Sequence, residues 1–211
     1  MLLCWCSSAQ NFKRHIVFLA SQPLHGRAPA TADERNAADY INCEFMSAGC
    51  TSVAYQPFPF QNDTAINVIG MLDLKKDSTV IIAAHYDHLG TGSEKSLEIS
   101  GKKGIYFGAD DNASGVAMMI ELAKTISETK NWKYNFVFAG FSAHEAGLFG
   151  SDYYSKSTLC SSLKIRAVIN FDMVGRMDTT YPTVRISGAE TDTLFSNYLM
   201  LRRGILGMDI S

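Results

Sequence analysis

The chain has 211 residues, of which 46 % are hydrophobic and 19 % are charged. It can therefore bury a substantial core, and its composition is not that of a disordered chain. Its 19 basic and 21 acidic side chains give a formal net charge of −2, which leaves no broad basic face to hold a nucleic acid. The five cysteines have irregular spacing, which predicts neither a disulfide framework nor a CxxC zinc site. No run of about 18 apolar residues occurs, so no membrane-spanning helix is predicted.

Residues 1–10, MLLCWCSSAQ, form a short apolar run that closes in small residues. One interpretation is the remnant of a secretory signal cleaved after Ala9, which predicts a periplasmic or extracellular protein. A frayed hydrophobic N-terminus is an equally good interpretation and leaves a cytoplasmic location open. Lipidation at Cys4 or Cys6 is a third and weaker one. Residues 11–211 contain no repeat, low-complexity tract or linker, and we predict that they form a single domain.

The first 50 residues carry helix and turn signals. Apolar spacing predicts a short helix over 11–21, and the loop at 22–29 ends it with two prolines and a glycine. Thr31 and Glu34 then form the signature of a capping box. The helix that follows is predicted to run to about Ala48, because Gly49 is a typical helix terminator.

Beyond this helix, short apolar runs with a period of two alternate with helical patterns. Residues 73–77 are predicted to be a tight hairpin connection. Strands alternating with helices predict an α/β fold, a three-layer sandwich with helices on both faces of a mixed, mostly parallel sheet. The predicted strands are 53–60, 67–72, 79–85, 134–141, 165–171 and, more weakly, 183–187; the predicted helices are 112–129, 146–155 and 191–201.

Several acidic and histidine residues end a predicted strand or begin the helix after it. Because the carboxyl ends of the strands share one edge of an open α/β sheet, these residues are expected to converge there. One imidazole and three carboxylates make a donor set suited to zinc, manganese or cobalt. Each residue taken alone has a simpler interpretation as a helix cap, a core histidine or a turn residue. They occupy four positions: His85, the doublet Asp110 and Asp111, the doublet His144 and Glu145, and Asp172.

Two other catalytic motifs are excluded by spacing. His144-Glu145 does not begin an HExxH zinc motif, because Leu148 stands where the second histidine belongs. The segment from Gly140 to His144 is similar to a nucleophile elbow around Ser142, but His144 replaces the second glycine of that motif. A serine hydrolase of this type also needs a later histidine, and the sequence has none after His144.

Four motifs together resemble the family-28 zinc metallopeptidases, which include bacterial leucyl-type aminopeptidases and have glutaminyl cyclases as close relatives. These motifs are HYDHLG (85–90), GADDNASG (108–115), EAGLFGS (145–151) and NFDMVG (170–175). The segment from Leu24 to Thr31 also resembles the N-terminal region of that family. The resemblance covers the chain from residue 12 onward.

The resemblance implies a zinc-dependent exopeptidase that hydrolyses N-terminal peptide bonds with a metal-activated water. Its expected substrates are peptide or protein N-termini. Two zinc ions are implied, bridged by Asp110; His85 and Asp172 complete one site, and Glu145 serves the other. Asp87 is expected to hold the ring of His85, as ligating histidines usually require.

Two departures from the family pattern affect these expectations. The family places its general-base glutamate directly before the ligand glutamate, and His144 occupies that position here. We predict that His144 acts as a substitute base or as a water-orienting group. The family's last ligand is a histidine from a later loop, which has no counterpart before Ser211. We therefore expect a C-terminally truncated sequence in which one metal site has only two protein ligands, Asp110 and Glu145.

Two further functions stay open at this point. A non-catalytic member acting as a binding or scaffold module is favoured by His144 and by the lack of the last histidine. Against it, buried acids are costly to desolvate and a scaffold does not need them. A glutaminyl-cyclase-like transferase is the other alternative, and the intact pair of His85 and Asp172 argues against it. The sequence leaves the preferred substrate side chain and the oligomeric state open.

Overall fold

The computed structural model describes residues 2–92, 104–129, 131–176, 180, 183–188, 191–206 and 209–210. The chain divides into two compact units, residues 1–174 and 175–211, whereas the sequence predicted a single domain over 11–211. In the described part of the first unit, helices alternate with strands. The helices are α1 (Leu2–Leu19), α2 (Ala32–Ser47), α3 (Gly115–Glu128), α4 (His144–Gly147), α5 (Phe149–Ser155) and α6 (Thr158–Ser161). The strands are β1 (Ser52–Phe60), β2 (Asp63–Leu72), β3 (Thr79–His85), β4 (Asn135–Phe141) and β5 (Ile165–Asn170).

The helix boundaries follow from local signals in the sequence. The backbone N–H of Glu34 donates to the Thr31 hydroxyl at the start of α2, so half of the predicted capping box is confirmed. The Glu34 carboxylate instead accepts from the backbone N–H groups of Ala30 and Ile66. Helix α1 begins at Leu2, earlier than the helix predicted from residue 11.

The five strands form one mixed sheet in the order β1-β2-β4-β3-β5. The pairs β1–β2 and β2–β4 are antiparallel, while β3 pairs in parallel with both β4 and β5. The predicted hairpin at 73–77 is therefore wrong, because β4 lies between β2 and β3. The reason is that all residues of β3 are buried, and such a strand needs a neighbour on each side.

Helices cover both faces of the sheet, which confirms the predicted α/β sandwich. On one face, α2 and α3 pack against strand residues such as Val68 and Phe138. On the other face, Tyr154 of α5 packs against Ile81 and Val137. Neighbouring residues of each strand point to opposite faces, so both layers are built from the same short apolar runs. The predicted stripe on α3 is buried as expected: Val116, Met119, Ile120, Ala123 and Ile126.

The second unit contains β6 (Thr183–Val184), α7 (Thr193–Leu206) and β7 (Asp209–Ile210). Strands β6 and β7 pair in parallel. The elements β6 and α7 occur where the sequence predicted a strand and a helix. Among the helices in the described ranges, none is both long and apolar enough to cross a membrane.

Candidate metal centre

The carboxyl ends of three adjacent strands bring most of the predicted site residues together. His85 is the last residue of β3, and its register partner is Phe141 at the end of β4. The residues that follow β4, among them His144, therefore lie beside His85. Asp172 lies two residues beyond the end of β5, which is the other neighbour of β3. The convergence expected at this edge of the sheet is present.

His85 presents a buried nitrogen to two carboxylates. Its side chain is only 2 % exposed, and Nε2 lies 3.1 Å from Asp111 Oδ1 and 3.6 Å from Asp172 Oδ1. This Nε2 nevertheless has no hydrogen-bond partner among the described residues. A buried nitrogen that faces carboxylates without a hydrogen bond is suited to metal coordination. The residues present thus fit a metal ion.

Two groups of three side chains in the described ranges place their ligand atoms within 4.8 Å of one another. Neither group includes Asp110, which the sequence-based expectation made the bridging ligand; Asp111 stands in its place. The backbone explains the shift, because Asp111 has non-helical angles (φ −102°, ψ 96°) inside the π-helical turn Ala109–Ser114. The first group is His85, His144 and Asp172, and the second is His88, Asp111 and Glu145.

Asp87 is completely buried and connects two parts of the site. Its Oδ1 lies 3.5 Å from His85 Nδ1 and accepts a hydrogen bond from the backbone N–H of His144 at 3.0 Å. Its Oδ2 accepts from the backbone N–H of Glu145 at 3.2 Å. The carbonyl oxygen of Asp87 lies 3.2 Å from His85 Nδ1 as well. Asp87 is thus placed to orient the His85 ring and to hold the start of α4 beside it.

The imidazole of His144 stacks on that of His85, with ring centroids 4.0 Å apart and an interplanar angle of 6°. Its Nε2 lies 3.8 Å from Asp172 Oδ2. Burial, together with the charge of His85, lowers the pKa of His144 below the ordinary 6.5. His144 is therefore neutral at pH 7 and can accept a proton or donate a lone pair to a metal.

His88 is a site residue that the sequence reasoning missed. Its Nδ1 lies 2.9 Å from Glu145 Oε1, and its side chain is 10 % exposed. The available signal was a second histidine three residues after His85 in the HYDH segment. That spacing suits neither one face of a strand nor a known ligand motif, so the loop geometry was needed to identify it.

Arg27 is a buried arginine that holds the loops around the site. It forms no ion pair with a carboxylate in the described part of the chain and instead donates to four backbone carbonyl oxygens. Burial lowers the pKa of Arg27 to about 10, so the guanidinium stays charged at pH 7. The acceptors are Leu19, Tyr86 (2.8 Å from Nε), Phe107 (2.8 Å) and Gly108 (3.1 Å).

Metal binding should release a proton from His85. Burial by itself lowers the pKa of this ring, but the facing carboxylates of Asp111, Asp172 and Asp87 outweigh burial and raise the pKa to about 11. The metal-free ring is therefore a cation at pH 7, and a metal ligand must be neutral.

Calorimetry in buffers of different ionisation enthalpy should detect release of about one proton per chain. Zinc affinity should rise about tenfold per pH unit between pH 6.5 and 8. A protein with the exposed His25 replaced by alanine should behave in the same way. Affinity that does not change with pH would contradict the raised pKa.

The sheet topology and the clustered histidines and carboxylates define an α/β protein of the zinc-exopeptidase fold class. The sequence model of Peptidase family M28 matches residues 67–203. The chain belongs to this family, which confirms the resemblance found in its motifs.

Individual relatives agree with this assignment. Aminopeptidase YwaD of Bacillus subtilis is 35 % identical over 121 residues, covering 55 % of this chain and 23 % of the relative. A Zn-dependent exopeptidase from Parabacteroides distasonis has the same fold, with a TM-score of 0.78 and 20 % identity over 94 % of this chain and 72 % of that one. A glutaminyl cyclase from Porphyromonas gingivalis gives 0.77 and 20 %, over 95 % and 71 % of the two chains. The chain spans 52 %, 23 % and 37 % of the length of three curated relatives that it matches.

Proposed function

We propose that the protein is a zinc-dependent aminopeptidase that hydrolyses the N-terminal peptide bond of peptides or proteins. The observation that carries this proposal is the buried Nε2 of His85, which has no hydrogen-bond partner in the described part of the chain and faces carboxylates at the carboxyl edge of the sheet. Membership of Peptidase family M28 and the aminopeptidase relative in Bacillus subtilis support the type of reaction.

The proposed ligands are one pair of side chains, one further side chain and one shared carboxylate. His85 and Asp172 would hold one metal ion, and Glu145 would serve the position of the second. Asp111 is the shared carboxylate, because its Oδ1 lies 3.1 Å from His85 Nε2 and its side chain is grouped with Glu145. It takes the role that the sequence-based expectation gave to Asp110. Carboxylate and imidazole donors are the usual ligands of zinc in such open sites.

The chain's own residues position the reaction and move the proton. A bound divalent ion supplies Lewis-acid polarisation of the scissile carbonyl and lowers the pKa of water. The neutral His144 ring lies beside His85, where it can take a proton from the attacking water and give it to the leaving amine. Asp87 fixes the distance between His85 and His144, because its carboxylate faces the first and accepts from the backbone of the second.

Replacing His144 by alanine should lower kcat on aminoacyl anilides by about 10²–10⁴-fold, the usual effect of removing a general base. Zinc content should stay unchanged, and the variant H144E should recover activity because a carboxylate can also accept the proton. Steady-state kinetics and elemental analysis on the same samples test this. Unchanged turnover in His144→Ala, or loss of turnover that is explained by loss of zinc, would contradict the role as a base.

One experiment separates this proposal from its alternatives. The protein is loaded with zinc and given aminoacyl anilides and, in parallel, a peptide with N-terminal glutamine. Metal-dependent hydrolysis of the anilides supports the aminopeptidase. Ammonia release from the glutaminyl peptide without hydrolysis identifies a cyclising transferase. Zinc binding with neither reaction identifies a binding module.

A further inference from the structure

Glu34 is a buried acid that no step of the proposed reaction uses, and it is only 1 % exposed. Its Oε1 accepts hydrogen bonds from the backbone N–H of Ile66 at 3.1 Å, from the hydroxyl of Tyr86 at 3.3 Å and from the hydroxyl of Ser142. Its Oε2 accepts from the backbone N–H of Ala30 at 2.6 Å. Burying a carboxylate is costly unless donors surround it, as they do here. Four donors hold this carboxylate in one place.

Two of these donors lie close in sequence to the histidines of the metal centre. Tyr86 follows His85 directly, and Ser142 lies two residues before His144. The imidazole rings of these two histidines stack with their centroids 4.0 Å apart. Glu34 therefore connects the two chain segments whose histidine rings face each other.

The segment 142–150, which carries His144, is closed at its base. The backbone N–H of Gly150 donates to the carbonyl oxygen of Ser142 at 3.1 Å. The side chain of Asn67 binds both ends, because its Oδ1 accepts from the Ser142 N–H at 3.1 Å and its Nδ2 donates to the Gly150 carbonyl oxygen at 2.8 Å. A Cβ added at Gly150 would collide with oxygens of Ser142 and Asn67. The base of the segment is thus tightly packed.

Between Ser142 and His144 the backbone adopts a conformation that is unfavourable for a residue with a side chain. Ala143 is completely buried and has left-handed angles, φ +54° and ψ 32°. Such a conformation persists only where its neighbours are held in place. On one side the Ser142 hydroxyl donates to Glu34, and on the other the His144 N–H donates to Asp87 at 3.0 Å.

We propose that Glu34 is a positioning residue, whose hydrogen bond with Ser142 holds the segment 142–150 so that His144 stays against His85. Its importance for catalysis rests on the proposed function, in which His144 moves a proton. The position of the segment can also be measured without any activity.

The variants Glu34→Gln and Ser142→Ala remove this link from its two ends. Glutamine keeps the shape of the side chain but replaces one oxygen by an amide nitrogen, which cannot accept from the backbone N–H of Ala30 or Ile66. Ser142→Ala is milder, because it removes one hydroxyl and leaves three donors on the carboxylate. Ser127→Ala is the matched control: its hydroxyl joins α3 to the residue that follows α2, at the opposite end of α3 from the turn Ala109–Ser114.

The test is hydrogen–deuterium exchange of the folded proteins, measured by mass spectrometry on peptides that cover 142–150. Both variants should raise the exchange rates of the His144 and Glu145 amides about tenfold or more, as expected from loss of a hydrogen bond to a carboxylate. Peptides from β4 and α3 should exchange as in the unmodified protein. In the zinc-loaded enzyme, kcat on aminoacyl anilides should fall about 10–100-fold while KM stays nearly unchanged.

Unchanged exchange of the segment 142–150 in Ser142→Ala would overturn the proposal, even if Glu34→Gln fails to fold. An equal rise in β4 and α3 would also overturn it, because that pattern indicates a general loss of stability. The same local rise in Ser127→Ala, or an unchanged kcat in both variants of an active enzyme, would contradict it as well. The proposed function fails separately: if local exchange rises but the unmodified protein hydrolyses no aminoacyl substrate, Glu34 still positions the segment and the aminopeptidase is wrong.

Discussion

Replacing Asp111 by asparagine should lower zinc affinity at least about 100-fold and aminopeptidase activity about 10³-fold, whereas Asp110→Asn should change both far less. Asp111 Oδ1 lies 3.1 Å from the buried Nε2 of His85, and a carboxylate oxygen of Asp111 lies within 4.8 Å of a carboxylate oxygen of Glu145. Asparagine has nearly the same volume, so the substitution removes the charge without creating a cavity. Two cations that share this carboxylate would lose part of their neutralisation.

The two neighbouring aspartates form a matched pair for this experiment. Both carboxylates lie in the same π-helical turn, and each variant differs from the natural chain by one charge. Zinc titrations and steady-state kinetics on both variants give the comparison. Equal losses in the two variants would contradict the assignment of the shared carboxylate to Asp111, and a larger loss for Asp110→Asn would restore Asp110 as the bridging ligand.

Replacing Arg27 by leucine should lower the free energy of unfolding by about 3–5 kcal/mol, since it leaves two buried and two partly buried carbonyl oxygens without this donor. The guanidinium donates to four carbonyls from three nitrogens. Lysine should recover only a small part of this stability, because a single ammonium nitrogen cannot reproduce the planar fork. The loss should appear as a lower urea midpoint in metal-free protein.

Arg14 provides the control for this measurement. It is 56 % exposed and pairs with Glu44 at 2.9 Å, so Arg14→Ala should cost less than about 1 kcal/mol. If Arg27→Leu lowers the free energy of unfolding by no more than Arg14→Ala does, the role of Arg27 is contradicted. If Arg27→Lys keeps the full free energy of unfolding, the positive charge contributes more to stability than the planar arrangement of the guanidinium donors.

The sequence predicted the strands well but not how one connection runs. Strand β3 and the buried stripe of α3 follow from periodicities that reflect burial directly. The segment 73–77 is short and charged, and such a loop suits either a hairpin or a crossover. Only the pairing of β4 with both β2 and β3 decides between them, and this long-range contact leaves no local signal.

The sequence predicted the site residues that lie near the ends of strands. Its prediction was incomplete for residues whose positions depend on loop conformation. His85 and Asp172 follow from their places at the end of β3 and two residues beyond the end of β5. The choice between Asp110 and Asp111 depends on the local backbone, because successive side chains of a non-helical segment point in different directions. Two identical neighbouring residues in a sequence do not show which of their side chains points into the site. His88 joins the site through a loop that the hydrophobic pattern does not describe.

The contacts of Arg27 also bear on the order in which the protein folds. Its four carbonyl acceptors lie 8, 59, 80 and 81 residues away along the chain. Closing the three longer loops is slow and entropically costly, so these contacts form after local helices and hairpins. The β1–β2 hairpin and α3 can therefore form before the segments that carry His88 and Asp111 are brought together. A chain still being synthesised thus acquires much of its secondary structure before it can hold a metal ion.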